Sequence, residues 1–428
     1  MPKQESVTRL ALVSLAGTSI EWYDFFLYGT AAALIFPSLF FPATLPPLVA
    51  LIASFSTFAV GFIARPIGAV IFGHFGDRAG RKAALVVAML TMGVATTLIG
   101  CLPSYAAAGI LAPVLLIVLR FVQGLAIGGQ WGGAMLLITE SAPAGKRGFY
   151  GAFAQAGVPV GVVLANLAFL ISSTSMSAET FAAWGWRVPF ILSIALVGLG
   201  LFVKFRVEDS VAFRSARPAV RRSPIIDACR RHPRQIVLAA GTFIASNLIF
   251  YIMITFVLAY EGAAGLGLSR TAMLMAVLIS MGVMLPSVFL FGALSDRFGR
   301  RRVYMTGALL TGLWAFALFP LIDTGSFAWT AFALCVGHLF GAMMYGPQAA
   351  LFAELFDTNV RYSGASLGYQ SGAIFGGALA PIIATSLFAR FHDSVGISVY
   401  IAVACAVSSL AVAMMKETRG IALHAALE

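Results

Sequence analysis

Long apolar stretches fill most of the chain and constrain its fold more than any other feature. They run between charged residues, prolines or glycines at about 10–36, 48–73, 83–103, 112–139, 149–172, 188–206, 234–260, 270–294, 303–322, 327–352, 362–388 and 394–415. A helix of about 20 apolar residues is long enough to cross a bilayer. The stretches are too long to be strands of a membrane barrel, and they lack the alternation of apolar and polar residues that such strands show. The sequence therefore predicts an all-α polytopic membrane protein with twelve transmembrane helices.

Composition excludes a soluble protein. Only 11% of the 428 residues are charged and 60% are hydrophobic, against about 25% and 45–50% in soluble domains. If both termini are cytoplasmic, most of the 28 basic residues share the cytoplasmic side, as the positive-inside rule requires. Arg187, Arg270 and Arg390 fall outside, and Arg65 and Arg120 fall within spans. The net charge of +11 therefore indicates insertion into the inner membrane, and we expect lipid around the protein and no nucleic-acid partner.

One hydrophilic interval divides the chain into two parts of six spans each. Residues 207–233 are rich in arginine and proline and form the longest such interval. We therefore expect an N-terminal six-helix bundle at 1–206, a cytoplasmic linker at 207–233, and a C-terminal six-helix bundle with a short cytoplasmic tail at 234–428.

Two motifs occur once in each part. Gly-x-x-x-Asp-Arg-x-Gly-Arg followed by Lys or Arg occupies 73–82 and again 292–301. A glutamate and an arginine seven residues apart occur at 140 and 147 and again at 354 and 361. The offsets, 219 and 214 residues, are close to half of the chain, and such self-similarity indicates an internal repeat. Because six spans is an even number, the two copies have the same sense in the membrane, and such halves pack around a central cavity.

The repeated motif resembles the hallmark of the major facilitator superfamily. Further matches are Glu-Trp-Tyr-Asp-Phe at 21–25, Arg-Phe-Val-Gln-Gly at 120–124 and Trp-Gly-Trp-Arg-Val-Pro-Phe at 184–190. These resemble the metabolite:proton symporter branch, which includes carriers of shikimate, dicarboxylates, citrate, and proline or betaine. The resemblance implies two pseudo-symmetric bundles and proton-coupled transport. One departure is Gln130, where the family usually has an acidic residue.

Charged residues of the repeated motifs are candidates for a cytoplasmic gate. Gly73, Gly76 and Gly80 would permit a tight turn between helices. An ion-pair network at this side would hold the two halves together and break when the cavity opens inward. The gate residues are Asp77, Arg78, Arg81, Glu140 and Arg147 in the first half, and Asp296, Arg297, Arg300, Glu354 and Arg361 in the second.

Ionisable residues inside spans are functional candidates because their insertion is costly. We expect Asp24 and Arg120 to face each other within the N-terminal half, with Glu21 somewhat deeper. A substrate carboxylate that takes the guanidinium of Arg120 would leave the displaced acid free to bind a proton, so Asp24, Glu21 and Arg120 are the predicted coupling residues. A permanent salt bridge is the alternative. Arg65 is close enough to the cytoplasmic end to snorkel.

Polar and aromatic residues in spans would complete the substrate site, although each is equally explained as a contact between helices. The candidates beside Arg120 are Tyr28, Gln123, Gln130, Trp131, Gln155, Asn247, Tyr251, His338, Tyr345, Gln348, Tyr369 and Gln370.

The sequence therefore predicts proton-coupled uptake of a small polar metabolite by alternating access, with an organic acid such as a shikimate-like acid or a dicarboxylate as substrate. A betaine or proline symporter and a proton-coupled drug exporter are the alternatives. With five histidines and four scattered cysteines, we expect no metal site, no cofactor and no enzymatic activity. One chain supplies both halves, so a monomer is expected to suffice.

Overall fold

The computed structural model describes residues 4–79, 81–128, 131–143, 145–207, 224–357 and 360–421, and in these ranges every regular element is helical. The first helices are α1 (Gln4–Leu34), α2 (Phe36–Leu39), α3 (Pro47–Ala79), α4 (Arg81–Gly100), α5 (Tyr105–Ala108), α6 (Leu111–Gly128), α7 (Trp131–Ser141), α8 (Arg147–Thr174), α9 (Ala178–Thr180) and α10 (Arg187–Val207). The later helices are α11 (Pro224–Arg231), α12 (Pro233–Tyr251), α13 (Val257–Ala264), α14 (Arg270–Phe298), α15 (Arg300–Ile322), α16 (Phe327–Leu355), α17 (Arg361–Ala373), α18 (Ala380–Phe391) and α19 (Val395–Ala413). Five-residue π-helical turns lie at Phe181–Gly185, Ile252–Phe256 and Ile374–Ala378.

Nine helical stretches of the described chain are long and apolar enough to cross a membrane. They are Pro47–Phe72, Leu111–Gly128, Arg147–Thr174, Pro233–Ala264, Arg270–Phe298, Arg300–Ile322, Phe327–Leu355, Arg361–Phe391 and Val395–Ala413. Each coincides with a predicted span, and α1, α4 and α10 occupy the other three. Within the stretch predicted as one helix at 112–139 lie α6 and α7, and the two residues between them are outside the described part of the chain. The all-helical membrane architecture is as expected, whereas the count of twelve spans and the side of the termini stay predictions.

The repeated motif lies at helix ends rather than in a loop. α3 continues to Ala79, so Gly73 and Gly76 are helical and form no turn, contrary to expectation. In the second copy a single residue, Gly299, separates α14 from α15. Its φ of 97° favours glycine, because other residues clash in that conformation. The counterpart Gly80 lies outside the described residues.

Glycines bring α3 and α6 into backbone contact. A Cβ atom on Gly124 would lie 2.2 Å from the carbonyl oxygen of Gly61, and one on Gly128 would lie 1.9 Å from that of Arg65. Small residues four apart allow this close approach in membrane helices. The contact sets Arg65 of α3 beside Arg120 of α6.

Helices from the two parts of the chain contact each other at two places, one at an end of the protein and one further inside. One end of the protein carries residues 140–143, 145–148, 292–300, 354–357 and 360–361 and is here called the motif end. There a Cβ on Gly148 would lie 2.2 Å from the carbonyl oxygen of Gly292. Further inside, Tyr251 of α12 packs against α3, with its ring centroid 5.7 Å from that of Phe58. These contacts join α8 to α14 and α3 to α12.

Candidate functional site

Two arginines lie close together in the interior, surrounded by aromatic rings. Arg65 is 1% exposed and Arg120 is completely buried. Their guanidinium carbons lie 4.2 and 4.1 Å from the ring centroid of Phe25, so they are no more than about 8 Å apart. The other rings within 5.4 Å are Trp22 and Phe62 around Arg65, and Tyr28 and Phe58 around Arg120. Attraction to the aromatic faces offsets part of the cost of burying two cations.

Neither guanidinium group has its hydrogen bonds satisfied. Arg120 donates from Nη1 to Oε1 of Gln123 at 3.0 Å. The Nε and Nη2 atoms of both Arg65 and Arg120 have no hydrogen-bond partner among the described residues. The ion pairs of the described chain include neither arginine. Two buried cations with free N–H groups are chemically suited to bind an anion.

The expected pairing of Asp24 with Arg120 is wrong in this structure. The Oδ1 atom of Asp24, a residue 1% exposed, accepts a hydrogen bond from Ser193 of α10, and Oδ2 has no partner among the described residues. Phe25 and Tyr28, three residues apart on α1, face Arg120 instead. Because one residue is a rotation of about 100° around a helix, Asp24 is directed toward α10.

An indirect hydrogen-bonded path connects Arg120 to Asp24. Gln123 accepts from Arg120 and donates from Nε2 to Oγ1 of Thr96 at 2.7 Å. The hydroxyl of Thr96 in turn neighbours the carboxylate of Asp24. Sequence reasoning missed Thr96, because a threonine in an apolar helix ordinarily bonds to the carbonyl four residues earlier, as Thr96 also does with Met92.

A small cavity of about 20 Å³ lies next to the arginines. Its lining residues come from both parts of the chain: Trp22, Phe26, Val158, Phe243, Ser246, Asn247, Ile249, Phe250, Tyr251, Met253, Met284, His338, Gly341, Tyr345 and Tyr369. Five predicted site residues are among them, namely Asn247, Tyr251, His338, Tyr345 and Tyr369. Trp22 and Tyr251 also contact Arg65, so they connect the cavity to the cationic site.

Other predicted site residues do not line this cavity. Tyr28 donates its hydroxyl hydrogen to Thr57 at 2.6 Å. Gln155 donates to the carbonyl of Tyr345 at 3.2 Å, a contact between α8 and α16.

Five further predicted residues remain. Gln348 donates to Ser246 at 2.7 Å, Gln370 is buried in α17, and Glu21 is partly buried in α1. Gln130 and the side chain of Trp131 lie outside the described part of the chain.

The expectation that Arg65 snorkels to the membrane surface is wrong. Arg65 is 1% exposed, and its guanidinium carbon lies 4.2 and 4.4 Å from the ring centroids of Phe25 and Phe62, so the side chain packs in the interior and does not extend to the surface. Phe58, Phe62 and Arg65 recur at intervals of four and three residues, so they share one face of α3. This spacing was the signal that could have placed Arg65 in the site.

The motif end is held by hydrogen bonds between α14, α15, α16 and α8. Asp296 accepts from the backbone N–H groups of Gly148 and Phe149 at 2.8 and 2.9 Å, in the first turn of α8. It also accepts from Arg300 at 2.6 Å, and Arg300 donates from Nε and Nη2 to Glu354 at 3.2 and 3.1 Å. A carboxylate at a helix N-terminus satisfies free N–H groups and complements the helix dipole.

Two ion pairs between the parts of the chain add to this network. Arg361 and Glu140 are 2.9 Å apart, and Arg147 and Glu354 are 3.9 Å apart. Arg297 was also expected to take part, but it is exposed and forms no ion pair within the described chain. It directly follows Asp296 in α14, so its side chain points in a different direction around the helix. The side chains of the remaining gate candidates, Asp77, Arg78 and Arg81, lie outside the described part.

The segment after α19 adds a contact that the sequence did not indicate. Burial alone would raise the pKa of Glu417, but backbone N–H groups of Arg300, Arg301, Thr418 and Arg419 donate to its carboxylate and hold the pKa below its ordinary value. Since the first two belong to the start of α15, this segment caps a helix of the motif end.

Asp296→Ala is expected to loosen the motif end. The change removes the acceptor for two backbone N–H groups and for Arg300, and hydrogen bonds to charged groups contribute about 1.5–3 kcal/mol each. A shift of about 1.5 kcal/mol changes the ratio of open to closed molecules roughly tenfold. We expect lower transport with normal membrane insertion, and faster thiol labelling of Ala152→Cys, which replaces a fully buried residue of α8.

Asp357→Ala is the matched control for Asp296→Ala. Asp357 pairs with His232 at 3.5 Å, but its side chain is 73% exposed, and exposed ion pairs contribute little. Equal labelling rates in the two variants would show that Asp296 does not keep the motif end closed.

Comparison with known proteins identifies the class to which this architecture belongs. Residues 10–221 match the family of sugar (and other) transporters, and residues 263–420 match the major facilitator superfamily. The inner membrane metabolite transport protein YhjE of Escherichia coli K12 is 43% identical, over 97% of this chain and 95% of its own. The shikimate transporter of the same strain is 40% identical, over 96% and 95%. The proline/betaine transporter of Salmonella typhimurium LT2 is 31% identical, over 94% and 82%.

The chain therefore belongs to the major facilitator superfamily, and its relatives match the metabolite symporter branch. The xylose transporter XylE of Escherichia coli, in a partially occluded inward-open conformation, superimposes with a TM-score of 0.73 at 18% identity over 97% of this chain and 99% of XylE. At that identity the likeness shows the fold alone. The predictions of a transporter rather than an enzyme, and of a multi-pass inner-membrane protein, are confirmed.

Proposed function

We propose that the protein takes up a small organic acid together with protons by alternating access. The observation that carries this proposal is the pair of buried arginines, Arg65 and Arg120, with unpaired Nε and Nη2 atoms. Buried charges are costly unless they are paired and hydrogen-bonded. A carboxylate supplies both the counter-charge and the planar acceptor that a guanidinium fits. Shikimate, proline and betaine, which the named relatives transport, all carry a carboxylate.

In this proposal the cavity widens to admit the substrate, whose carboxylate lies at Arg65 and Arg120. Arg65 contacts two cavity-lining residues, Trp22 and Tyr251, and Arg120 lies against the same Phe25 ring as Arg65. Aromatic side chains would enclose the apolar part of the molecule. The neutral polar residues Asn247 and Tyr345 would contact its other polar groups.

Proton coupling is assigned to Asp24, with Glu21 as the neighbouring candidate on α1. Arg120, Gln123, Thr96 and Asp24 form a path along which a change at the anion site reorients hydrogen bonds at the carboxylate. A substrate anion near Arg120 adds negative charge and so favours protonation of Asp24. By linkage, protonation favours anion binding by the same factor.

The topology proposed is two six-span bundles, at 1–206 and 234–428, joined by a cytoplasmic linker at 207–233, with both termini and the motif end in the cytoplasm. The ion pairs Arg361–Glu140 and Arg147–Glu354 then form a cytoplasmic gate that opens when the bundles rock apart. One chain contributes both sides of the cavity, so a monomer suffices.

A zwitterion symporter is the second candidate because of the aromatic lining. Seven of the described lining residues are aromatic, and aromatic faces bind quaternary ammonium groups. A betaine would place its carboxylate at the arginines and its ammonium group in the cavity.

Uptake by proteoliposomes under an imposed pH gradient tests the proposal. The panel is shikimate, malate, succinate, 2-oxoglutarate, citrate, proline and betaine. We expect acid-stimulated uptake of at least one carboxylic acid without an amine. Uptake of betaine or proline alone would favour the second candidate, and no acid-stimulated uptake would contradict symport.

A further inference from the structure

The cavity contains a hydrogen-bond acceptor that the anion site does not use. His338 of α16 is 1% exposed and lines the cavity. Its Nδ1 atom lies 3.0 Å from the carbonyl oxygen of Leu334, one turn earlier in the same helix. Its Nε2 atom is buried and has no hydrogen-bond partner among the described residues.

The contact with Leu334 determines which nitrogen of His338 carries the hydrogen. A carbonyl oxygen can only accept, so Nδ1 is the N–H donor of the neutral ring. Nε2 then has a lone pair and no hydrogen, and it can only accept. Because Nδ1 is bound to the backbone of α16, the opposite edge of the ring, with Nε2, is turned away from that backbone and toward the cavity.

Neighbouring side chains of the described residues supply no donor to Nε2. Phe250 packs edge to face against the imidazole with ring centroids 6.0 Å apart. Ile249 and Met253 are apolar residues of the cavity wall, next to Gly341 and Gly337 of α16. A buried acceptor without a donor is destabilising, so the contents of the cavity must supply the hydrogen.

The charge of the site restricts what that donor can be. None of the described cavity-lining residues is acidic, and Arg65 and Arg120 lie nearby with unpaired N–H groups. An ammonium donor would meet two positive charges and no described counter-charge in the cavity wall. A neutral hydroxyl has no such penalty.

We propose that Nε2 of His338 accepts a hydrogen bond from an alcoholic hydroxyl of the substrate, so that the transported molecule is a hydroxylated organic acid. This rests on the proposed function, because it takes the carboxylate to be held at the arginines. The carboxylate and the hydroxyl then lie on two sides of the aromatic layer formed by Tyr251 and Phe250, whose ring centroids are 5.5 Å apart. His338 is a specificity-determining residue in this arrangement.

The test compares matched acids with and without hydroxyl groups in proteoliposomes. The pairs are shikimate against cyclohexene-1-carboxylate, and malate against succinate. The wild-type protein is expected to prefer the hydroxylated member of at least one pair about 10-fold to 100-fold, since its loss leaves a buried acceptor unpaired. His338→Phe keeps a ring without the acceptor and is expected to reduce the preference to within about threefold, chiefly by slowing uptake of the hydroxylated acid.

His338→Gln is the rescue variant, because the amide oxygen of glutamine reaches about the position of Nε2. It is expected to restore most of the preference. Met284→Leu, at a cavity residue that offers no lone-pair nitrogen or oxygen, is the matched control and is expected to change uptake of both members by the same factor. Thermal stability of each purified variant shows whether it is folded.

The outcomes separate this inference from the proposed function. If the wild-type protein takes up carboxylic acids without any preference for the hydroxyl, or if His338→Phe lowers both members equally, the inference is wrong and the proposed function stands. If only zwitterions or no acids are transported, both are wrong. If His338→Phe does not fold, folded His338→Gln alone decides. Loss of the preference for the hydroxylated acid in that variant then overturns the inference.

Discussion

Arg120→Gln is expected to lower the kcat/KM of organic-acid uptake at least about 100-fold. A carboxylate bound to the two free N–H groups of Arg120 makes charge-assisted hydrogen bonds, each worth about 1.5–3 kcal/mol. Loss of two such bonds costs more than about 2.8 kcal/mol. Because each 1.4 kcal/mol corresponds to a factor of ten, kcat/KM falls at least about 100-fold. Initial uptake rates below saturation, measured in proteoliposomes at matched protein density, give this ratio.

Thermal stability distinguishes a binding role for Arg120 from a structural one. The guanidinium group is buried against Phe25, Tyr28 and Phe58 without an ion-pair partner in the described chain. Removing an unpaired buried charge relieves a desolvation cost. The Tm of Arg120→Gln is therefore expected to equal or exceed that of the wild type. A Tm more than a few degrees lower would indicate that Arg120 holds the helices together.

Gly61→Ala tests the same group without removing it. A Cβ atom at Gly61 would lie 2.5 Å from Nε of Arg120 and 3.0 Å from Cζ, so the guanidinium must move. We expect uptake to fall by about tenfold or more, because displaced hydrogen-bond donors no longer fit the carboxylate.

Gly17→Ala is the matched control for Gly61→Ala. It is also a helical glycine, in α1, and a Cβ there would meet nothing within 4 Å. Alanine is the better helix former, so Gly17→Ala is expected to be neutral or slightly stabilising. Equal uptake by both variants would argue against Arg120 as an anion ligand.

The sequence predicted the helices of this site well because a membrane span is a property of local composition. The intramembrane residues Asp24 and Arg120 were equally visible, since any charge in an apolar run stands out. The side chains that these two residues contact could not be predicted from the sequence. Whether Asp24 faces Arg120 or Ser193 depends on the rotation of α1, which hydropathy does not report.

Side-chain packing and close helix contact explain the other difference. Arg65 was placed near a surface because about eight residues separate it from the predicted end of its span, whereas its side chain packs among aromatic rings in the interior. The backbone contact of α3 with α6, through Gly61 and Gly124, moves Arg65 into the site. Such a contact between distant segments follows from the tertiary fold and cannot be read from either helix alone.

Asp24→Asn is expected to abolish accumulation driven by a pH gradient and to leave counterflow largely intact. Asparagine keeps an oxygen that can accept from Ser193, but it cannot take up and release a proton. Counterflow exchanges substrate across the membrane without net proton movement, so it needs the anion site and the conformational change only. Steady-state accumulation should fall to the equilibrium level, whereas the initial rate of exchange should change by less than about threefold.

Asp323→Asn is the matched control for the carboxylate. Asp323 also accepts from hydroxyl groups, those of Tyr260 at 2.7 Å and Ser394 at 3.2 Å, but it is exposed at the end of α15. This variant should accumulate substrate normally. If Asp24→Asn still concentrates substrate, Asp24 is not the coupling residue, and loss of accumulation in Glu21→Gln would then assign the proton to Glu21.

Thr96→Val tests whether coupling follows the path from Arg120 to Asp24. Valine keeps the shape of threonine but removes the hydroxyl that accepts from Gln123 and neighbours Asp24. Both binding groups remain, so anion affinity at saturating proton concentration should be close to that of the wild type. The dependence of that affinity on pH should weaken, because coupling between two sites is measured by how much each changes the affinity of the other. Unchanged pH dependence in Thr96→Val, together with uncoupling in Asp24→Asn, would mean that charge alone links the two sites.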